Sequence, residues 1–309
     1  MITTLNAIAP IFLIIILGYL IFRARIAGEE VWSAIEHICF YLLLPFLIIR
    51  TLSRANLTSV PIVDFMLVLV MAIAGMSVLL IFVYSLLRFR YPDSGPTFTS
   101  LFQGATRFHG FVALAIIGPL YGDAGVTLIA LALAIMVPLL NVANVVVLTV
   151  YGNNGSAAGS RQILLRIITN PLIIACVVGL SLNWTGTPDI LFEAIDIIGR
   201  GGLGLTLLAV GAGLRLGQVA QDKLLVTVGV LTRLIGMPLI MLAVASLVGL
   251  DGLARTVAII AGAVPTAGSA YVMARKMGGN VELMSNIITF QVIVSFLTLP
   301  LFIYIAERY

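Results

Sequence analysis

The sequence predicts an all-α polytopic membrane protein: ten transmembrane helices arranged as two inverted five-helix repeats, with broken crossing helices 4 and 9. Three observations support this prediction. Of the 309 residues, 61% are hydrophobic and only 10% are charged, whereas soluble domains carry about 25% charged residues. Long apolar runs recur from one end of the chain to the other. Two of them, 100–122 and 258–279, contain glycine, proline and ionisable residues where an unbroken membrane helix would be apolar.

Apolar runs of about 20 residues predict the individual spans. They lie near residues 3–22, 31–51, 61–87, 97–121, 124–151, 162–184, 188–216, 223–249, 253–277 and 282–306. The first run has no basic residues before it, so we interpret it as a retained helix and not as a cleaved signal peptide. The polar stretch GNNGSAAGS divides the chain. We therefore expect a first repeat at 1–152, a linker at 153–160 and a second repeat at 161–309.

The distribution of basic residues predicts the orientation in the membrane. The loops after the odd-numbered spans contain ten of them: Arg23, Arg25, Arg88, Arg90, Arg161, Arg166, Arg215, Lys223, Arg275 and Lys276. The opposite face has four: Arg50, Arg54, Arg255 and Arg308. Because basic loops stay in the cytoplasm, we expect a multi-pass protein of the cell (inner or plasma) membrane. Its linker is then cytoplasmic and both of its termini are non-cytoplasmic.

Matching positions in the two halves indicate a duplication. Ala34-Ile35-Glu36 recurs as Ala194-Ile195-Asp196, and Gly104-Ala105 recurs as Gly262-Ala263. The shift along the chain is nearly the same for both pairs. Since each copy has an odd number of spans, the second copy must enter the membrane upside down. The repeat is therefore predicted to be inverted.

The two interrupted spans contain the candidate substrate site. An inverted repeat brings spans 4 and 9 together, and the N-termini of their second half-helices then offer unpaired N–H groups to an anion. In span 4 the candidates are Arg107, whose guanidinium fits a carboxylate, and Gly110 at the break. In span 9 they are Pro265, Thr266 and Ser269. The alternative for Arg107 is a structural pair or a side chain that reaches the interface.

Further polar residues inside the spans are weaker candidates. Asn141 and Gln291 follow the broken spans and are assigned to the substrate site, although interhelical hydrogen bonding explains such residues equally well. His109 is likewise a second-rank candidate for the substrate site. His109, Glu36 and Asp196 are also candidates for proton coupling, because an imidazole titrates near neutral pH and the two acids are equivalent in the repeat. The alternatives are a hydrogen-bonded buried histidine and an ion pair between Asp196 and Arg200, four residues apart.

Enzymatic and metal chemistry find little support in the sequence. The motifs HExxH, GxSxG, CxxC and the P-loop are absent from it. Two histidines in different spans cannot build a multi-histidine metal centre, and the two cysteines lie within apolar spans, where we expect packing residues. We predict no enzymatic activity, no cofactor, no metal and no nucleic-acid partner.

Six segments in order carry a resemblance to a known family: APIFLIIILGYLIFR, FYLLLPFLI, FQGATRFHGFVALAIIGPLYG, LLAVGAGLRLG, AVPTAGSAYVMARKMGGN and IITFQVIVSFLTLPL. The chain resembles the auxin efflux carrier family in its bacterial branch, within the superfamily of bile-acid, arsenite and riboflavin type transporters. The resemblance implies inverted repeats, a scaffold part and a transport part that move against each other, and often a homodimer. It also implies small organic anions as substrates, such as auxin-, malate- or malonate-like carboxylates.

Two adjacent positions depart from the family pattern. Members usually carry asparagine where this chain has His109, and plant members have a proline in place of the neighbouring Phe108. The resulting hypothesis is a secondary active transporter of a small organic carboxylate that works by alternating access in the lipid bilayer. A sodium-coupled organic anion symporter, or a membrane sensor or channel that binds the same ligand, are the alternatives.

Overall fold

The computed structural model describes residues 2–55, 61–88, 94–153, 168–216 and 222–308. In these ranges the regular elements are helices. They are α1 (Ile2–Arg23), α2 (Glu29–Ile38), α3 (Leu44–Ser53), α4 (Ile62–Leu87), α5 (Gly95–Thr106), α6 (Gly110–Tyr151), α7 (Pro171–Thr185), α8 (Asp189–Arg200), α9 (Gly202–Ala212), α10 (Lys223–Leu231), α11 (Met237–Val248), α12 (Gly252–Ala263), α13 (Ser269–Met277) and α14 (Val281–Arg308). Short π-helices at Cys39–Leu43 and Thr232–Gly236 join α2 to α3 and α10 to α11.

Within the described residues, seven helical segments are long and apolar enough to cross a membrane. They correspond to predicted spans 1, 2, 3, 7, 8 and 10 and to the continuous stretch of spans 4 and 5. The shorter apolar helices α7 and α12 lie at spans 6 and 9. The chain is therefore a helical, multi-pass membrane protein, as predicted. The number of ten spans and the inverted repeat stay predictions. Arg90, Arg161, Arg166 and the linker beyond Asn153 lie outside the described residues.

The predicted boundary between spans 4 and 5 is a kink inside α6. Gly122 has φ 58° and ψ −154°, a conformation that interrupts the helix. A positive φ is costly for residues with a Cβ but not for glycine. Predicted span 4 therefore ends and span 5 begins at this kink, within one continuous helical stretch.

Each of the two π-helices precedes a proline in the first turn of the next helix. Pro45 and Pro238 stand two residues beyond the ends of the two π-helices. A proline has no N–H to bond the carbonyl four residues earlier, so the turn before it widens to accommodate the loss. The second of these turns contains Arg233, which is fully buried.

One compact unit comprises the described residues within 1–62, 111–134 and 164–214. In it α1 packs closely against α9, because a Cβ on Gly18 or on Gly211 would overlap a carbonyl oxygen of the facing helix. Asp196 forms ion pairs with Arg50 and with Arg200, the latter at 2.7 Å. The predicted pairing of Asp196 with Arg200 is thereby confirmed.

The second compact unit comprises the described residues within 63–110, 135–163 and 215–309. Its apolar centre consists of buried side chains of α10, α13 and α14 around Leu234 and Ile287. Glycines let helices approach α14, since a Cβ on Gly104 would lie 2.9 Å from a methyl group of Ile287 and one on Gly229 would lie 2.7 Å from another. Both compact units draw residues from both halves of the sequence, and the boundaries of the two repeats stay a prediction.

Candidate functional site

The first break in the second unit separates α5 from α6 at residues 107–109. α5 ends at Thr106 because Arg107 adopts an extended conformation with ψ 146°. Residues 102–110 are buried. Non-helical backbone at membrane depth persists only where protein or enclosed water replaces the lost helical hydrogen bonds. The break therefore requires partners from elsewhere in the unit.

The second break, at residues 264–268, supplies one of these partners. α12 ends at Ala263, Val264 is extended with ψ 151°, and α13 begins at Ser269. The carbonyl oxygen of Pro265 accepts a hydrogen bond from the backbone N–H of His109 at 2.8 Å. A main-chain hydrogen bond thus joins the two interruptions, which lie together as the sequence predicted.

Arg107 lies at this junction with its guanidinium bound to side chains. It donates to the hydroxyl of Ser269 and to the amide oxygen of Asn141, both at 2.8 Å, and it contacts the sulfur of Met273. Only 6% of Arg107 is exposed. The structure therefore gathers three of the predicted site residues, Arg107, Asn141 and Ser269, in one cluster.

The partners of Arg107 are neutral. Among the ion pairs of the described residues none involves Arg107, and no described residue accepts a hydrogen bond from its Nε. A guanidinium stays charged under physiological conditions, and a buried charge without a counter-ion costs several kcal/mol by order of magnitude. An anion beside Arg107 would offset this cost.

Thr266 and Gln291 hold the two breaks together through their own hydrogen bonds. The hydroxyl of Thr266 donates to the carbonyl oxygen of Gly104 at 2.6 Å, and its N–H donates to the side-chain oxygen of Gln291 at 2.8 Å. The amide nitrogen of Gln291 donates to the carbonyl oxygens of Gly104 and Gly229, both at 2.9 Å. The polar atoms of both side chains are already engaged in these hydrogen bonds, so they are better placed to support the site than to touch a substrate.

Arg233 is a residue of this region to which the sequence assigned no role. It is fully buried, and its guanidinium donates to the carbonyl oxygens of Val264 and Ala261, both at 2.8 Å. It also donates to those of Ala105 at 3.4 Å and Thr106 at 3.3 Å. The available signal was an arginine within an apolar span, which must bind other polar groups inside the protein.

Gln103 is a second residue that sequence analysis missed. It lies on α5, one turn before the break, and is fully buried. In the described part of the chain, neither its amide nitrogen nor its amide oxygen has a hydrogen-bond partner. Such a group costs about 1–3 kcal/mol, and it stands out because other amides here are bonded. Gln103 is therefore an additional candidate for a substrate contact.

The coupling candidates lie in different surroundings. His109 is buried at the first break, next to Gly110, where α6 begins. Glu36 is exposed on α2, and Asp196 is bound to two arginines in the first unit. In the described residues no group of three or more His, Cys, Asp or Glu side chains is arranged to hold a metal ion.

Comparison with known proteins extends over almost the whole chain. A family described as "Membrane transport protein" matches residues 3–303. An "uncharacterized transporter" of the archaeon Methanothermobacter thermautotrophicus is 22% identical over 307 residues, which cover 96% of each chain. "Auxin efflux carrier component 6" of Arabidopsis thaliana is 31% identical over 142 residues, which cover 42% of this chain and 24% of the plant protein.

Proposed function

Because this chain belongs to the auxin efflux carrier family of membrane transport proteins, we propose that it is a secondary active transporter of a small organic carboxylate. The substrate crosses the cell membrane by alternating access. The observation that carries the proposal is the buried guanidinium of Arg107, which is bound by neutral side chains at the junction of two broken helices.

The charge at this junction suits an anion. Arg107 contributes a full positive charge, and its planar fork matches the two oxygens of a carboxylate. α13 begins at Ser269 directly after the second break, and a helix N-terminus carries about half a positive charge. Inside a low-dielectric protein these charges attract a carboxylate far more strongly than in water. A neutral solute would gain little from the same arrangement.

The neutral partners of Arg107 are replaceable. Ser269 is exposed and Asn141 is half-buried, although the arginine itself is buried. A carboxylate that approaches from that side can take over the hydrogen bonds of the guanidinium, while the hydroxyl and the amide turn to other oxygens of the ligand. Binding then exchanges weak neutral hydrogen bonds for charge-assisted ones, which are about twice as strong.

The membrane setting follows from the exposed apolar surface. α4 presents Val63, Val78 and Phe82 to the outside, each more than half exposed, and lipid chains are the natural partner of such a surface. Part of it also suits a homodimer contact, which the resemblance implies. We place both termini outside the cytoplasm, on the strength of the basic residues in the odd-numbered loops.

A sodium-coupled symporter is the second candidate. Helix breaks free backbone carbonyl groups, and such carbonyls coordinate sodium in transporters with discontinuous helices. The sequence offers the carbonyls freed by Pro265 and the side chains of Thr289 and Gln291 for such a site, although Arg233 already binds the carbonyls of Ala261 and Val264. A sensor or a channel for the same ligand are further alternatives, and each is separated from a carrier by the measurement below.

Counterflow in proteoliposomes tests the proposal. Vesicles that contain the purified protein are loaded with an unlabelled acid, and uptake of the same labelled acid is followed for a panel of mono- and dicarboxylates. A carrier accelerates uptake when the inside is loaded, a channel shows flux without this acceleration, and a sensor binds without flux. Absence of accelerated uptake for every acid, in vesicles whose protein is folded, would contradict the proposal.

A further inference from the structure

The side chain of Arg233 connects two helix ends, and all the atoms that it binds there are backbone carbonyl oxygens. Two of the carbonyls that it binds, Ala105 and Thr106, belong to the last residues of α5. The other two, Ala261 and Val264, belong to the last turn of α12 and the residue after it. One guanidinium thus serves the C-terminal ends of both helices that stop at the breaks.

The electrostatic balance at these ends is close to neutral. The C-terminal end of a helix carries about half a negative charge, so the two ends together offset roughly one positive charge. Among the described ion pairs none involves Arg233. The carbonyl dipoles are therefore what stabilises this buried cation, and the cation in turn satisfies carbonyls that have lost their helical partners.

The same carbonyls are the ones that a coupling cation would use. In transporters with discontinuous helices, sodium binds to unwound backbone carbonyls and to the C-terminal ends of half-helices. Here a covalently attached guanidinium takes these hydrogen bonds. A free monovalent cation and Arg233 would compete for the same oxygens, and the arginine cannot leave.

We infer that Arg233 is a resident cation that occupies the cation site of the two helix breaks and makes the carrier independent of sodium and potassium at this position. The role of Arg233 in a transport cycle rests on the proposed function, whereas cation binding itself is measurable without a substrate. Arg233 is in this sense a positioning residue, which fixes the breaks while Arg107 faces the substrate.

The π-helical turn fits this role. Arg233 lies within Thr232–Gly236, between α10 and α11, and π-turns inside helices are frequent at functional sites. One turn earlier, the backbone carbonyl oxygen of Gly229 accepts a hydrogen bond from the side-chain amide of Gln291, which also donates to the carbonyl oxygen of Gly104. Arg233 thus contacts the end of α5 directly, and Gln291 of α14 bridges the carbonyl oxygens of Gly229 in α10 and Gly104 in α5.

Thermal unfolding of the full chain in detergent tests the inference. Wild type, Arg233→Ala and Arg233→Lys are each melted in sodium, potassium, methylguanidinium or choline chloride at equal ionic strength. The wild type should melt at the same temperature in sodium and in choline. Arg233→Ala should melt lower in choline and recover by on the order of 5 °C in saturating sodium, potassium or methylguanidinium, because a ligand of the folded state raises the melting temperature.

The matched variants make the outcome decisive. Arg233→Lys keeps an attached cation, so its melting temperature should not depend on the choice of cation. Arg200→Ala removes an exposed arginine from the first unit and should show no cation dependence either. The inference is overturned if sodium stabilises the wild type, if none of the three cations stabilises Arg233→Ala, or if that variant cannot be recovered folded in any of the salts.

Failure of this inference and failure of the proposed function give different results. Sodium-dependent stabilisation of the wild type, together with accelerated counterflow of an acid, would leave a carrier without a resident cation. Suppose instead that the wild type melts independently of the cation, that cations rescue Arg233→Ala, and that no acid shows counterflow. These results would support the resident cation and contradict the proposed transport function.

Discussion

Arg107 and Arg233 are two buried arginines of the same compact unit, and both contact the helix breaks, but their partners differ in kind. Arg107 is bound by side chains, two of which are partly exposed. Arg233 is bound by four backbone carbonyls and has no exposed surface. Side-chain partners can rotate away when a ligand arrives, whereas backbone carbonyls cannot. The comparison separates a cation available to a substrate from a cation that belongs to the fold.

The same substitution at both arginines should produce the largest difference. Arg233→Gln leaves several buried carbonyls without a donor, and we expect it to lower the free energy of unfolding by about 3–5 kcal/mol. Arg107→Gln loses hydrogen bonds to Ser269 and Asn141 but also removes a buried charge that has no counter-ion, so the two effects offset and we expect a loss of about 1 kcal/mol or less. Denaturation of both variants in the same detergent measures this difference. Equal losses of unfolding free energy at the two positions would contradict the assignment of Arg107 to the substrate and of Arg233 to the fold.

Gln291 should resemble Arg233 in its effect on stability, with a smaller magnitude. Gln291→Leu leaves the carbonyls of Gly104 and Gly229 and the N–H of Thr266 without this partner. We expect the free energy of unfolding to fall by about 2–3 kcal/mol.

Ser295→Ala is the control for Gln291→Leu. It lies four residues further along α14, is also fully buried, and bonds only within its own helix, so the expected change is below about 1 kcal/mol. A Gln291→Leu variant as stable as this control would contradict the structural role of Gln291.

Gln103 should behave in the opposite way. Its amide has no partner among the described residues, so Gln103→Leu removes an unsatisfied polar group and should raise the free energy of unfolding by about 1 kcal/mol. If the amide contacts the substrate, the same variant should bind the transported acid more weakly. Lower stability with unchanged affinity would show that the amide has a structural partner.

His109→Asn is expected to have the smallest effect on binding. The resemblance to the family implies asparagine at this position in other members, so the variant should keep its affinity for the acid. If the imidazole carries a coupled proton, wild-type transport slows as the pH rises, because a smaller fraction of the imidazole is protonated. The variant should then lose this pH dependence. A wild-type pH profile in His109→Asn would move the proton to another group, with Glu36 and Asp196 next in line.

The helical, multi-pass character of the chain and both helix breaks were predictable from the sequence because they depend on local signals. Pro265 cannot continue a hydrogen-bonded helix, and an arginine in the middle of an apolar run predicts a polar, enclosed surrounding. The pairing of Asp196 with Arg200 followed from their helical spacing. These inferences needed no knowledge of which helices pack together.

The roles of individual polar residues were less predictable because they depend on distant contacts. Thr266 and Gln291 were predicted as substrate ligands, yet their polar atoms are engaged with each other and with Gly104, 162 and 187 residues away. Arg233 received no role, since nothing near it in the sequence shows that the ends of α5 and α12 meet it. A polar residue inside a span predicts that the residue has a polar partner but does not identify that partner.

The most direct test of the central claim is the affinity of a transported acid for wild type, Arg107→Lys and Arg107→Gln. The acid is taken from the counterflow panel, and its binding is measured by the rise in melting temperature with concentration. Loss of a buried charge partner should weaken binding by roughly 100-fold in Arg107→Gln, with a smaller loss in Arg107→Lys, which keeps the charge but not the fork. Wild-type affinity in Arg107→Gln would contradict the account and return Arg107 to a structural role.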